Sequence, residues 1–119
     1  MSPTARSLDR LRKMGYTAEV VEKYNAFTKQ RKDLFGCIDI VGITEQTAGV
    51  LGIQATTTSH MGARIQKSMA EPRLTVWLKN GNRFIVWGWS KKGPRGKRKL
   101  WELSEKEMTL DNNYNIRYT

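Results

Sequence analysis

Two short apolar runs rich in β-branched residues occupy the middle of the chain: Cys37-Ile38-Asp39-Ile40-Val41-Gly42-Ile43, and Val50-Leu51-Gly52-Ile53 leading into Gln54-Ala55-Thr56. A polar turn separates them, so they predict the two strands of a hairpin. Side chains alternate along a strand, which puts Gln54 and Thr56 on one face and Ile53 and Ala55 on the other. A turn centred on Gln46-Thr47 sets Asp39 directly across from Gln54, where facing Cβ atoms stand about 4.5–5.5 Å apart. An unpaired carboxylate inside an apolar strand is costly. Asp39 therefore requires a donor, a cation or a metal ion beside it.

The flanking pattern supplies further elements. Ser2 followed by Pro3 opens a helix that Gly15 stops, with Ala5, Leu8, Leu11 and Met14 as its apolar stripe. Residues 17–24 predict a first strand, and Lys29-Gln30-Arg31-Lys32-Asp33 a basic connection into the hairpin. Thr57, Thr58 and Ser59 offer N-caps for a second helix; Met61, Ile65 and Met69 mark its core face, and Arg64 and Lys67 share another. Pro72 interrupts it, and a short helical piece with Leu74 and Leu78 ends at Asn80-Gly81. Residues 83–89 and 100–103 predict a closing pair of strands with a basic loop at their tip. Trp87 and Trp89 alternate with Gly88 on one strand face and, with Trp77 and Trp101, suit core packing. His60 has no carboxylate partner nearby in sequence and suits the surface. The polar tail 111–119 predicts loose order.

This order of elements predicts an α/β (α+β) domain spanning 1–119, its core at about 4–103, with a central mixed sheet flanked by helices. A helix between the third and fourth strands suggests a crossover, right-handed if those strands are parallel.

Composition narrows the chemistry. A single cysteine excludes an intramolecular disulfide and suits a reducing compartment. One His and one Cys exclude the usual structural zinc site, leaving a hard cation held by oxygens, magnesium or manganese, as the expected metal. No segment has the length of a membrane span or the apolar core of a secretory signal. Cytoplasmic residence, in a bacterium or a phage-infected host, is the expectation. The net charge of +10 points to a polyanion such as nucleic acid. Six of the cations, Lys91, Lys92, Arg95, Lys97, Arg98 and Lys99, crowd into the Gly/Pro-containing stretch 91–99. Lys29, Arg31 and Lys32 form a second basic group.

Gly36-Cys37-Ile38-Asp39-Ile40-Val41 followed by Gln54-Ala55-Thr56 resembles the core of the PD-(D/E)xK, restriction-endonuclease-like nucleases. The small archaeal Holliday-junction resolvases and the VRR-NUC nucleases are the nearest in pattern. The string from Asp33 onward (D-L-F-G-x-x-D…Q-A-T) is also similar to small bacteriophage proteins. The resemblance implies an αβββαβ core, a magnesium site and hydrolysis of DNA, branched DNA included, by a two-fold dimer. It implies that Asp39 is the metal-binding aspartate and that Gln54-Ala55-Thr56 stands where the family has Glu-x-Lys. Gln54 could ligate through its amide oxygen but brings no charge, and Thr56 cannot supply a cation. The lysine's role then passes to Arg64 or Lys67, or is lost. The family's helix glutamate is replaced by the Thr4-Ala5-Arg6 region, with Asp9 the only acid in that helix, which makes Glu22 and Asp33 the substitute ligands.

Two principal readings follow: a magnesium-dependent endonuclease, or a protein of the same fold that binds nucleic acid or a partner without chemistry. A third is a small basic RNA-associated protein in which Asp39 is structural. Asp39 on a different sheet face from Gln54 would remove the nuclease analogy.

Overall fold

A computed structural model describes residues 1–119. Helix α1 (Pro3–Lys13) is followed by strands β1 (Thr17–Val20), β2 (Lys23–Asn25), β3 (Gln30–Lys32), β4 (Ile40–Thr44) and β5 (Thr47–Thr57). A 3-10 turn (Thr58–His60), α2 (Met61–Met69) and α3 (Pro72–Lys79) lead to β6 (Arg83–Lys92), β7 (Leu100–Leu110) and β8 (Ile116–Tyr118). Six strands form one mixed sheet in the order β1-β4-β5-β6-β7-β8, flanked by the three helices, while β2 and β3 form a separate ribbon. All neighbours in the large sheet are antiparallel except β5 and β6, which α2 and α3 connect as a parallel pair. No helix is long and apolar enough to cross a membrane.

Alternation along the central strands divides the core in two. Ile40, Leu51, Ile53, Ala55, Ile85 and Trp87 pack under α1 through Leu11. Ile38, Phe84, Val86 and Met108 pack with Met61 and Ile65 of α2 and Leu74 of α3. Ser2 caps α1 by accepting the Ala5 N–H at 3.1 Å, and Gly15 leaves it at φ +95, a conformation that suits glycine. Trp89 Nε1 donates to the buried Ser7 hydroxyl at 2.9 Å, tying β6 to α1. The 3-10 turn and the Met61 side chain pass close over Gly88: a Cβ there would stand 3.1 Å from Thr58 Cα and would overlap Met61 Sδ.

Several sequence expectations change. The strand expected over 17–24 ends at Val20, and the basic connection folds back as β3 on β2, pairing Lys23 with Lys32. Cys37 lies in a turn, not a strand: Leu34 and Ile38 exchange backbone hydrogen bonds across it, with Phe35 and Gly36 at positive φ. The hairpin turn falls at Glu45-Gln46, not Gln46-Thr47. Ala48-Gly49-Val50 then bulge opposite Ile43 and restore the expected register, Ile40 facing Ile53. The α2 N-terminus receives no side-chain cap from Thr57, Thr58 or Ser59, because those residues form the 3-10 turn. Strand β7 runs on to Leu110, with Met108 buried, and the 111–119 tail adds β8. Met14 is exposed, and Trp101 lies at the surface beneath the Arg6 guanidinium, 3.8 Å from its ring centre.

Candidate metal centre

The sheet's topology gathers polar groups at one of its ends. Strands β1, β5 and β6 run in one direction and β4 in the other. The exit of β1, the entry to β4 and the exits of β5 and β6 therefore share an end. Glu22 follows β1, Asp39 precedes β4, Gln54–Thr57 close β5, and Asp33 follows the β2–β3 ribbon. The carboxylates of Glu22, Asp33 and Asp39 lie with ligand atoms within 4.8 Å of one another. They open on a cavity of about 370 Å³ that Gln54, Thr56, Arg31, Arg64, Lys67 and the N-terminal turn of α1 also line.

Asp39 is the buried member. Its Oδ2 accepts the Gln54 Nε2–H at 2.7 Å and the Ala55 backbone N–H at 2.8 Å. Its own N–H donates to Ile53 O at 2.8 Å. Burial, then hydrogen bonding to Asp33, then the like charges of Asp33 and Glu22 push the Asp39 carboxyl up to about 8, against the opposing effect of the Ala55 N–H. Three acids at this spacing repel one another unless a proton or cation sits among them. Gln54 is 1% exposed, and with its Nε2 committed to Asp39, its Oε1 has no hydrogen-bond partner. A buried carbonyl oxygen in that condition is costly. The three carboxylates form an all-oxygen donor set, which suits magnesium or manganese and excludes a thiolate-preferring metal.

Cations surround the acids. Arg31 reaches Glu22 at 3.5 Å, and Lys67 reaches Asp33 at 3.9 Å from α2. Arg64, one turn earlier on the same helix, also lines the cavity. Neither Thr56 nor Gln54 supplies a positive charge, and the cations of the cavity wall are Arg31, Arg64 and Lys67. Asp9, by contrast, pairs with Lys13 on the exposed side of α1 and takes no part. His60 is exposed and shares a 2.7 Å hydrogen bond with Thr57 Oγ1.

The structure thus brings Glu22, Asp33, Asp39, Gln54, Thr56, Arg31, Arg64 and Lys67 to one cavity. Lys29, Lys32 and residues 91–99 stand outside it. Sequence reading missed the Ala55 amide as a donor and Ser2, Pro3 and Thr4 as cavity wall. The N-cap signal at Ser2 located the helix start but carried no indication of what it faces. A second concavity of about 350 Å³, on the α1 side, holds Arg83 and Glu107 in a mutual ion pair at 2.9 Å beside Glu105, which accepts the Trp87 Nε1–H at 2.9 Å. No family model, no curated protein and no solved structure matches this chain.

Proposed function

We propose that the protein is a divalent-metal-dependent endonuclease of the PD-(D/E)xK type, acting on DNA. The observation that carries this reading is the convergence of the Asp39, Asp33 and Glu22 carboxylates in a cavity that Gln54 also lines and that Arg31, Arg64 and Lys67 edge. Asp39, Asp33 and Glu22 would hold the cation, which when bound supplies Lewis acidity at a phosphate and acidifies water. Gln54 Nε2 and the Ala55 N–H keep Asp39 oriented, so the centre is positioned before substrate arrives. Arg64 and Lys67 attract phosphate oxygens and offset charge that develops on them during hydrolysis. Asp39 must release its proton to ligate, which couples cation binding to pH.

The β6–β7 hairpin supports a nucleic-acid substrate. Gln54 lies level with Val86 of β6. Strand β6 continues six residues beyond Val86 to Lys92, a rise of about 20 Å at roughly 3.3 Å per residue. Lys91, Lys92, Arg95, Lys97, Arg98 and Lys99 therefore stand off the same end of the sheet as the acids, at a reach comparable to the width of a duplex.

The test incubates purified protein with four-way-junction, linear duplex and single-stranded DNA in magnesium or manganese, beside Asp39→Ala. Cleavage that requires metal and disappears in Asp39→Ala is expected. Cleavage that survives the substitution would overturn the assignment. Salt-sensitive binding without cleavage would leave a nucleic-acid-binding protein of the same fold.

A further inference from the structure

Core packing does not account for the outer part of the β2–β3 ribbon. It is a two-stranded element outside the main sheet, with all six strand residues exposed, and such ribbons are marginal in water. Lys23 and Lys32 face each other directly across it, an arrangement that destabilises a strand pair. Of its four cations, Lys23, Lys29, Arg31 and Lys32, only Arg31 lies within 4 Å of an acid.

Its tip carries Phe27, 98% exposed. The tip is shaped rather than loose: Asn25 Oδ1 accepts the Phe27 and Thr28 N–H groups at 2.9 and 3.3 Å, and Lys29 closes the turn at φ +54. Tyr24, on β2, is 60% exposed. Both feet of the ribbon are ligands of the candidate centre, since Glu22 immediately precedes β2 and Asp33 immediately follows β3. An aromatic ring held out on a cationic ribbon matches the chemistry of a base flanked by phosphates. An isolated ring gains most from a base that is not already stacked on both sides.

We infer that the β2–β3 ribbon is a stacking wedge: Phe27 packs against an unpaired or unstacked base, while Lys23, Lys29 and Lys32 neutralise the adjoining phosphates. Its placement beside the reacting phosphate rests on the proposed nuclease reading. The substrate class is then DNA with an unpaired nucleotide a few positions from the cut, since Phe27 stands at the ribbon tip and Glu22 and Asp33 at its feet, in preference to continuous duplex.

The experiment uses the full chain in EDTA, a duplex carrying one unpaired 2-aminopurine, and the same duplex fully paired. For Phe27→Ala, affinity for the bulged probe is expected to fall about tenfold, in line with removal of one aromatic–base stack, and the 2-aminopurine signal change on binding to disappear. The paired duplex should bind Phe27→Ala and the unmodified chain equally, and Phe27→Trp should restore both bulge readouts. Phe27 is fully solvated, so folding is not at stake. Equal bulge affinities with an unchanged 2-aminopurine response would overturn the wedge, as would failure of the unmodified chain to bind either probe. Unaltered DNA binding with a lower mass in solution for Phe27→Ala would make the tip a protein contact instead. Because these readouts are taken without metal, failure of cleavage in the earlier test bears on the centre and not on the wedge.

Discussion

Asp39 combines two opposed demands. Its Oδ2 is saturated by Gln54 Nε2 and the Ala55 N–H, yet burial and the neighbouring acids raise its carboxyl from 3.8 to about 8. Between those two values the folded chain holds a proton that the unfolded chain has released. Folding stability in EDTA therefore falls as pH rises through that window and levels off above it. Glu71 behaves oppositely and lower down: its hydrogen bonds to Arg73 hold it near 2, so its contribution is present above its ordinary 4.5 and is lost only as pH falls toward 2. Thermal melts in EDTA at about pH 5 and about pH 8.5 should show a drop for the unmodified chain and a smaller one for Asp39→Asn. Each kcal/mol of destabilisation lowers Tm by roughly 4 °C in a domain of this size. Magnesium should recover the loss at the higher pH only where Asp39 is present. Gln54→Glu should give a two-signed result: a lower Tm in EDTA, because a fourth acid faces Asp39, and manganese binding tighter by about tenfold, or 1.4 kcal/mol, by titration calorimetry.

Among the elements, strand pairing and helix boundaries follow two kinds of information. The Ser2-Pro3 start, the Gly15 stop and the alternation of β5 are local and were legible in the sequence. So was the register that sets Asp39 against Gln54, although the turn itself lies one residue earlier and a bulge at Ala48-Gly49-Val50 compensates. Residues 17–33 were not legible as a short strand plus a separate ribbon. Nothing in the alternation marks Val21-Glu22 as a break, and a Lys23–Lys32 pairing runs against local preference. Trp101 departs from expectation for a related reason: a large aromatic suits a core by composition, but here it serves as a platform for Arg6 and Lys91 at the surface. The 3-10 turn and Met61 pass so close over Gly88 that no room is left for a Cβ. Gly88→Ala should cost about 1–3 kcal/mol through overpacking, seen as a lower denaturation midpoint. It should also weaken metal binding, because Thr56 and Thr57 lead straight into the displaced turn.

For the whole molecule, the arrangement is one acidic centre between two cationic projections. Both arise from the same end of the sheet, the β2–β3 ribbon after β1 and the long β6–β7 hairpin. The chain's excess of +10 is therefore placed partly on these two projections, while the carboxylates of Glu22, Asp33 and Asp39 form a negative spot between them. Replacing Lys97, Arg98 and Lys99 together with alanine should weaken DNA binding with little regard to sequence. The slope of log K against log salt should become shallower by about 0.9 for each phosphate that the variant no longer neutralises. An unchanged slope in a fluorescence-anisotropy titration would show that the loop lies off the DNA path.

By itself, the sequence determined the mixed α and β composition, the central hairpin and its register, the scarcity of His and Cys ligands and the strong excess of positive charge. These depend on residue type and short-range periodicity, which are written in the chain directly. Only the tertiary structure decided that Glu22 and Asp33, far from Gln54 in sequence, stand beside Asp39, that Gln54 Oε1 is left without a partner, and that Arg31, Arg64 and Lys67 ring the cavity. Those facts depend on strand direction and on how β1, β4 and β5 align their ends, and such alignment is set by packing across the whole sheet rather than by any local pattern.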